Sequence, residues 1–342
     1  MLMTARSTLR PATDSAVVVR APGRLHLGFL DPSATLGRRF GSLGLVIDDF
    51  DTVLALRRDA RNHGEALHDG AAAQEALARA TAHVATLQRA FGLDAPLHLQ
   101  LLQLPPAHAG FGSGTQLALA VGRAFASLHG LSLATPEIAR LLGRGLRSGV
   151  GIAGFDQGGL LLDGGTGDDG VPAPLLARLE LPSAWRVLLV LDPQRQGLSG
   201  ADERSAIATL PAFAQASAAA VCHEVLMRVL PGAASDDFTL FAQGVSAVQR
   251  LVGAHFAPAQ GGQLYASPAV ARLCEWIARH HVAATGQSSW GPTGFAILPS
   301  AAEADAVLAA ARAAGMVEAA LQLRTVGARA HGASIEVRPP LR

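Results

Sequence analysis

Three stretches of this chain gather groups that could handle an anion. Residues 105–120 read PPAHAGFGSGTQLALA, and Gly110, Gly112 and Gly114 remove Cβ atoms where a chain would fold tightly around a ligand. Ser113 and Thr115 sit among these glycines, and Gln116 opens a run with good helix propensity. Such a loop aims unpaired N–H groups and the positive end of a helix at one spot, which suits phosphate or diphosphate. It equally fits a helix that follows an ordinary turn. Upstream, residues 22–31 read PGRLHLGFLD, in which Arg24 and His26 alternate onto one face of a strand and could enter the same cavity. Downstream, residues 286–296 read GQSSWGPTGFA and carry Ser288, Ser289, Trp290 and Thr293.

Each of these residues has a plainer reading beside the chemical one. Arg24 also fits a strand-end salt bridge, His26 a hydrogen-bonded core histidine and Trp290 a core aromatic. Asp156 in Phe155-Asp156-Gln157 could bind metal or move a proton, and it also fits a helix cap beside glycine. Asp163, ahead of Gly164-Gly165, reads as a turn residue. The acid pair in residues 45–50, LVIDDF, superficially matches a ribose-binding strand end, but the chain resumes strand character at once and a polar hairpin turn is expected.

The elements that must position these groups follow from pattern. Residues 16–20, 43–47, 52–56, 97–104, 158–165, 185–191, 295–298 and 320–326 read as strands. Residues 71–90, 211–230, 236–252, 267–282 and 301–315 read as helices, and Thr135-Pro136-Glu137 starts another with Thr135 as its cap. Strands interleave with helices without a strict βαβ repeat, which points to an α+β fold. Residues 166–174 are the best linker candidate, dividing the chain into 16–170 and 171–342.

Composition narrows the function further. All 28 basic residues are Arg, because the sequence contains no Lys. That excludes Schiff-base chemistry and the P-loop lysine, and leaves an anionic substrate to guanidinium forks, amides or metal. A net charge of +1 gives no nucleic-acid footprint. No segment reads as a membrane span or a secretion signal, and with Cys222 and Cys274 far apart there is no disulfide framework or cysteine metal cage. The expected compartment is the cytoplasm. The histidines show no metal spacing such as HExxH.

Taken together, RLHLGFLD, GFGSGTQLALA, GFDQGGLLLDGG and SSWGPTGFA occur in the order of the GHMP superfamily motifs, and they resemble its β-ribofuranosylaminobenzene 5′-phosphate synthase branch. The resemblance covers essentially the whole chain. It implies an N-terminal domain like ribosomal protein S5 domain 2 and a C-terminal ferredoxin-like domain. It also implies condensation of 4-aminobenzoate with 5-phosphoribosyl 1-diphosphate, releasing CO2 and diphosphate, in tetrahydromethanopterin biosynthesis. Mg2+ and a homodimer come with it.

Within the resemblance, Gly110, Gly112, Ser113, Gly114, Thr115 and Gln116 would hold the diphosphate, with Ser113 also a magnesium contact. Arg24, His26 and Asp156 would form the catalytic set, and Ser288, Ser289, Trp290 and Thr293 would line the substrate site. GHMP kinases carry a magnesium-binding Glu on the helix ahead of the Asp segment. Here that position falls near Arg144, with Arg147 beside it, and no acidic residue lies between Glu137 and Asp156. A cation cannot ligate Mg2+, whereas paired Arg attracts phosphate or carboxylate. An ATP-dependent small-molecule kinase is therefore the weaker alternative.

Overall fold

Leu97, Leu99 and Leu101 alternate with His98, Gln100 and Leu102, so one face of a strand enters a core and the other looks outward. The computed structural model describes residues 15–167, 172–198 and 200–338. That strand, β6 (Leu97–Gln103), follows β1 (Ala16–Ala21), β2 (Arg24–Asp31), β3 (Phe40–Val46), β4 (Thr52–Arg58), β5 (His63–Ala66) and helix α1 (Ala71–Phe91). Next come α2 (Ser113–His129), α3 (Thr135–Leu141), α4 (Val150–Gln157), β7 (Leu160–Asp163) and β8 (Leu175–Leu179). The remainder comprises β9 (Arg186–Leu191), α5 (Gly200–Thr209), α6 (Gln215–Glu224), α7 (Leu230–Ala234) and α8 (Phe238–Phe256). It ends with α9 (Pro268–His280), β10 (Ala284–Gln287), β11 (Gly294–Leu298), α10 (Ala301–Ala313), β12 (Gln322–Gly327) and β13 (Ser334–Arg338).

Among the described residues the strands form sheets ordered β13-β1-β4-β6-β5, β2-β3-β7-β8 and β10-β11-β9-β12. Helices α1 and α2 bury Ala80, Val84, Leu87, Leu119 and Phe125 against the inner face of the first sheet. The third sheet is apolar on both faces: Val187 and Leu189 join the core under α8, while Leu188 and Val190 pack with α9 and α10. Leu25, Leu27, Leu43 and Leu45 of the second sheet share that α8 core, so the two halves of the chain are joined by one apolar layer.

The structure departs from the sequence expectation at several points. Strand β8 extends the sheet of β2, β3 and β7, and β13 returns to pair with β1, so sheet partners lie on both sides of the expected division at 170. The expected linker lies partly outside the described residues. Strands β3 and β4 belong to different sheets, so the acid pair between them makes a crossover turn and not a hairpin. Thr135 is the first residue of α3, not its cap. Glu137 closes that end by accepting the Ala134 N–H at 2.8 Å.

Candidate active site

Strand β2 and the loop before α2 meet at Arg24, whose N–H donates to the carbonyl of Phe111 at 3.1 Å. The loop turns into α2 through Gly112, at φ 69°, and a Cβ there would lie 2.9 Å from the Arg24 guanidinium. Gly110, at φ 89°, is pressed against the Ser288 carbonyl. The first amides of α2 have no intrahelical acceptor and point along its axis toward this space. Arg24, Arg144 and Arg147 surround it. A Cβ on Gly114 would sit 3.3 Å from Arg144, whose Nη2 donates to the Thr115 hydroxyl at 3.1 Å.

Ser288 pins the three sequence motifs together. Its hydroxyl accepts the His26 N–H at 3.0 Å and donates to the Gly110 carbonyl at 2.7 Å. With its proton engaged and its side chain fully buried, Ser288 is part of the frame, and the expectation that it contacts substrate is corrected. Gln116 acts similarly, donating its amide to the Gly151 carbonyl of α4 at 2.9 Å. Thr293 is fully buried, and its carbonyl accepts the Ser288 N–H at 3.0 Å. Ser289 is exposed, at φ 56°, and its N–H donates to the His26 carbonyl.

Asp163 anchors the floor. Its carboxylate accepts N–H groups of Ser42, Gly149, Val150 and Gly165 at 2.7 to 3.2 Å, tying the start of α4 to β3 and β7. Burial pushes the carboxyl up from its ordinary value, while these amides pull it back.

Two further expectations are corrected. Trp290 is only 6% exposed, packs edge-on against Phe256 at 4.8 Å and donates its indole N–H to Glu203 at 3.1 Å. No open ring face is left for a substrate to stack on. Asp156 lies at the far end of α4, exposed, where it accepts the Thr135 hydroxyl at 2.5 Å. That hydroxyl also meets Arg123, eight positions along α2 from Thr115, or about 12 Å of helix rise. Asp156 therefore braces α3 against α4, away from the loop.

The wall of the cradle has the opposite character to its frame. Among the described residues, the buried Nε atoms of Arg24 and Arg144, Nη1 of Arg147 and Nε2 of His26 have no hydrogen-bond partner. Burial lowers Arg24 to about 10, with Glu203 opposing the shift and Arg144 adding to it. Burial, then Arg147 and Arg79, lower Arg144. His26, 4% exposed, is held well below its ordinary value by burial and by the Arg24 and Arg147 charges, so it is neutral. Desolvated cations with idle donors fit an incoming polyanion.

Sequence reasoning missed Glu203 and His83. Glu203, on α5, accepts Arg147 Nη2 at 2.7 Å as well as the Trp290 indole. No spacing announces a partner 56 positions from Arg147. His83, on α1, is lowered to about 4 by burial and by Arg144 and Arg79.

The donor set at the start of α2 does not fit a dedicated Mg2+ site. The carboxylates that act on Arg24 are Glu203 and Asp163, and both are engaged as described. Guanidinium groups would repel a bare cation.

Residues 76–163 match the family of GHMP kinases N terminal domains and residues 229–316 that of GHMP kinases C terminal domains. The fold is that of this class: mevalonate diphosphate decarboxylase from Staphylococcus aureus superposes with a TM-score of 0.68 at 13% identity, over 94% of this chain and 98% of that one. More particularly, the chain is 31% identical over 294 residues to beta-ribofuranosylphenol 5'-phosphate synthase of Archaeoglobus fulgidus, covering 82% of this chain and 88% of the relative. The protein of that name from Methanothermobacter thermautotrophicus is 25% identical over 299 residues, with coverage of 82% and 88%. The chain belongs to the GHMP superfamily, in the branch of these synthases. No described helix is long and apolar enough to cross a membrane.

Proposed function

We propose that the chain is a decarboxylating phosphoribosyl transferase acting on a para-substituted benzoate. The observation that supports this most strongly is the ring of under-bonded guanidinium groups around the start of α2, where a kinase needs a metal-binding carboxylate. In this reading 5-phosphoribosyl 1-diphosphate enters with its diphosphate on the amides of Gly112, Ser113 and Gly114, the Ser113 hydroxyl and Arg144. Mg2+ belongs to the reading only as the counter-ion that the diphosphate would bring, and Ser113 would be a hydroxyl available to it. Arg24 and Arg147 take the 5′-phosphate and the aromatic carboxylate.

The C1′–oxygen bond breaks as diphosphate leaves. The ring carbon that bears the carboxylate bonds to C1′. The ring-to-carboxylate bond then breaks, CO2 departs, and its electron pair restores the aromatic ring. No proton enters or leaves the ring, so the step requires no general base, in keeping with the distance of Asp156. Neutral His26 offers a hydrogen-bonding nitrogen beside the Arg24 and Arg147 cations.

The acceptor expected from sequence is 4-aminobenzoate, as in tetrahydromethanopterin biosynthesis. The relatives are named for a ribofuranosylphenol, which favours 4-hydroxybenzoate as a second acceptor. Incubation with 5-phosphoribosyl 1-diphosphate, Mg2+ and each benzoate is expected to release equal amounts of CO2 and diphosphate. Release with neither acceptor, alongside ATP-dependent phosphorylation of a small alcohol, would establish the kinase alternative instead. A homodimer is part of the proposal, and light scattering of the eluted protein measures it.

A further inference from the structure

A second cluster of metal-ligating side chains lies on the outer face of the first sheet, apart from the cradle. The strand alternation that buries Leu97 and Leu99 turns His98 outward, and the parallel register of β5 on β6 sets His63 directly beside it. The two imidazoles stack with centroids 3.8 Å apart and planes 17° from parallel. Asp59 follows β4 and brings a carboxylate to the same place. One ligand atom from each of Asp59, His63 and His98 lies within 4.8 Å of the others. His98 starts β6, and the glycine-rich loop follows that strand's other end, so roughly 20 Å of extended chain separates the cluster from the cradle.

His98 points to a ligand. It is only 4% exposed, yet neither ring nitrogen has a hydrogen-bond partner of good geometry among the described residues. Nδ1 lies 3.9 Å from Asp59 Oδ2, and Nε2 lies 3.2 Å from Glu65 Oε1, off the line of a good hydrogen bond. Nδ1 of His63 lies 3.2 Å from the Arg61 carbonyl, which can only accept, so the tautomer that makes this bond leaves Nε2 to ligate. Asp59 Oδ1 accepts the Ala60 N–H, which leaves Oδ2 as the ligating oxygen.

We infer that Asp59, His63 and His98 form a Zn2+ site. Two imidazole nitrogens and a carboxylate oxygen select a borderline ion such as Zn2+ over Mg2+, which takes oxygen ligands. Ligands around a tetrahedral Zn2+ lie about 3.4 Å apart with their lone pairs converging, so closing the site needs the exposed His63 ring to rotate out of its stack on His98. Glu65 would accept the His98 Nε2–H and fix its tautomer, as carboxylates commonly do for metal-bound histidine. Arg57, 2.9 Å from Asp59 Oδ2 and 41% exposed, must swing into solvent. The ion would clasp β5, a four-residue edge strand, to its neighbour β6 and to the end of β4 beyond it.

The test uses the full chain, stripped with EDTA and titrated with Zn2+ by calorimetry, and separately with Co2+ followed by visible absorption. The expected result is one equivalent bound, a Co2+ spectrum of tetrahedral intensity, and a raised Tm. His63→Ala and Asp59→Asn should each weaken binding at least about 100-fold while leaving the Tm in EDTA unchanged. As a second measurement on the unaltered protein, Zn2+ should protect His63 and His98 from carbethoxylation, read by peptide mass. Absence of stoichiometric Zn2+ binding, unchanged binding in both variants, or modification of His63 and His98 undiminished by Zn2+ would overturn the site. None of these readouts depends on transferase activity.

Discussion

The frame of the cradle and its wall are made of similar polar residues in opposite states. In the frame, Ser288, Asp163 and the Gln116 amide nitrogen have protein partners, and each bond joins two elements distant in sequence. In the wall, Arg24, Arg144, Arg147 and His26 are as close to the same loop yet keep buried nitrogens idle. The lesson is that residue type does not separate scaffold from site. The idle guanidinium nitrogens beside the loop mark the wall, because a buried donor without a partner carries a desolvation cost that a ligand can relieve.

Breaking the frame should have the largest effect. Asp163→Ala would leave the Ser42, Gly149, Val150 and Gly165 amides without their acceptor, and a loss of about 3 kcal/mol or more in urea unfolding is expected. Retention of wild-type stability would remove Asp163 from the frame.

Changing the wall should divide activity from stability. Arg144→Ala is expected to lower turnover by about 100-fold or more, while Tm stays constant or rises because like charges are separated. Diphosphate should raise the Tm of the wild type and much less that of the variant. Equal Tm shifts in both would move the diphosphate elsewhere. Ser288→Ala stands between these cases. It removes one donor and one acceptor that hold three motifs, so both stability, by about 1–2 kcal/mol, and turnover should fall.

The pH dependence sharpens the contrast. His26 and His83 have folded pKa values below the ordinary 6.5, so the unfolded chain binds protons first as pH falls. Stability should decline from about pH 6.5 downward, with the His83 share levelling near 4. Asp163 has the opposite sign. Its raised carboxyl means the folded state takes its proton first in acid. Urea midpoints across this range measure the balance, and His83→Gln should flatten the decline. The smallest effect belongs to Asp156→Asn, for which turnover within about twofold of wild type is expected, with a stability loss of about 1 kcal/mol or less from the Thr135 bond. A large loss of turnover would return Asp156 to the chemistry.

Much of this molecule was legible in its sequence. Glycine spacing around Ser113, period-two alternation in RLHLGFLD and the order of four motifs were enough to place the loop, the strand and the family, because these are local patterns with local physical causes. Arg144 in place of an acid already pointed away from metal-assisted phosphoryl transfer. Other assignments required the folded chain. Ser288 and Trp290 looked like ligand contacts until their partners, Gly110, His26 and Glu203, came from residues far along the chain. Asp156 looked catalytic until its helix carried it away from the loop. Glu203, and the meeting of His63 with His98 and Asp59, had no signal in spacing at all. Sequence determined which groups were available and which short stretches would curl or extend. Only the tertiary structure decided which of those groups found partners and which were left open, since saturation of a buried polar atom depends on what the rest of the chain brings to it.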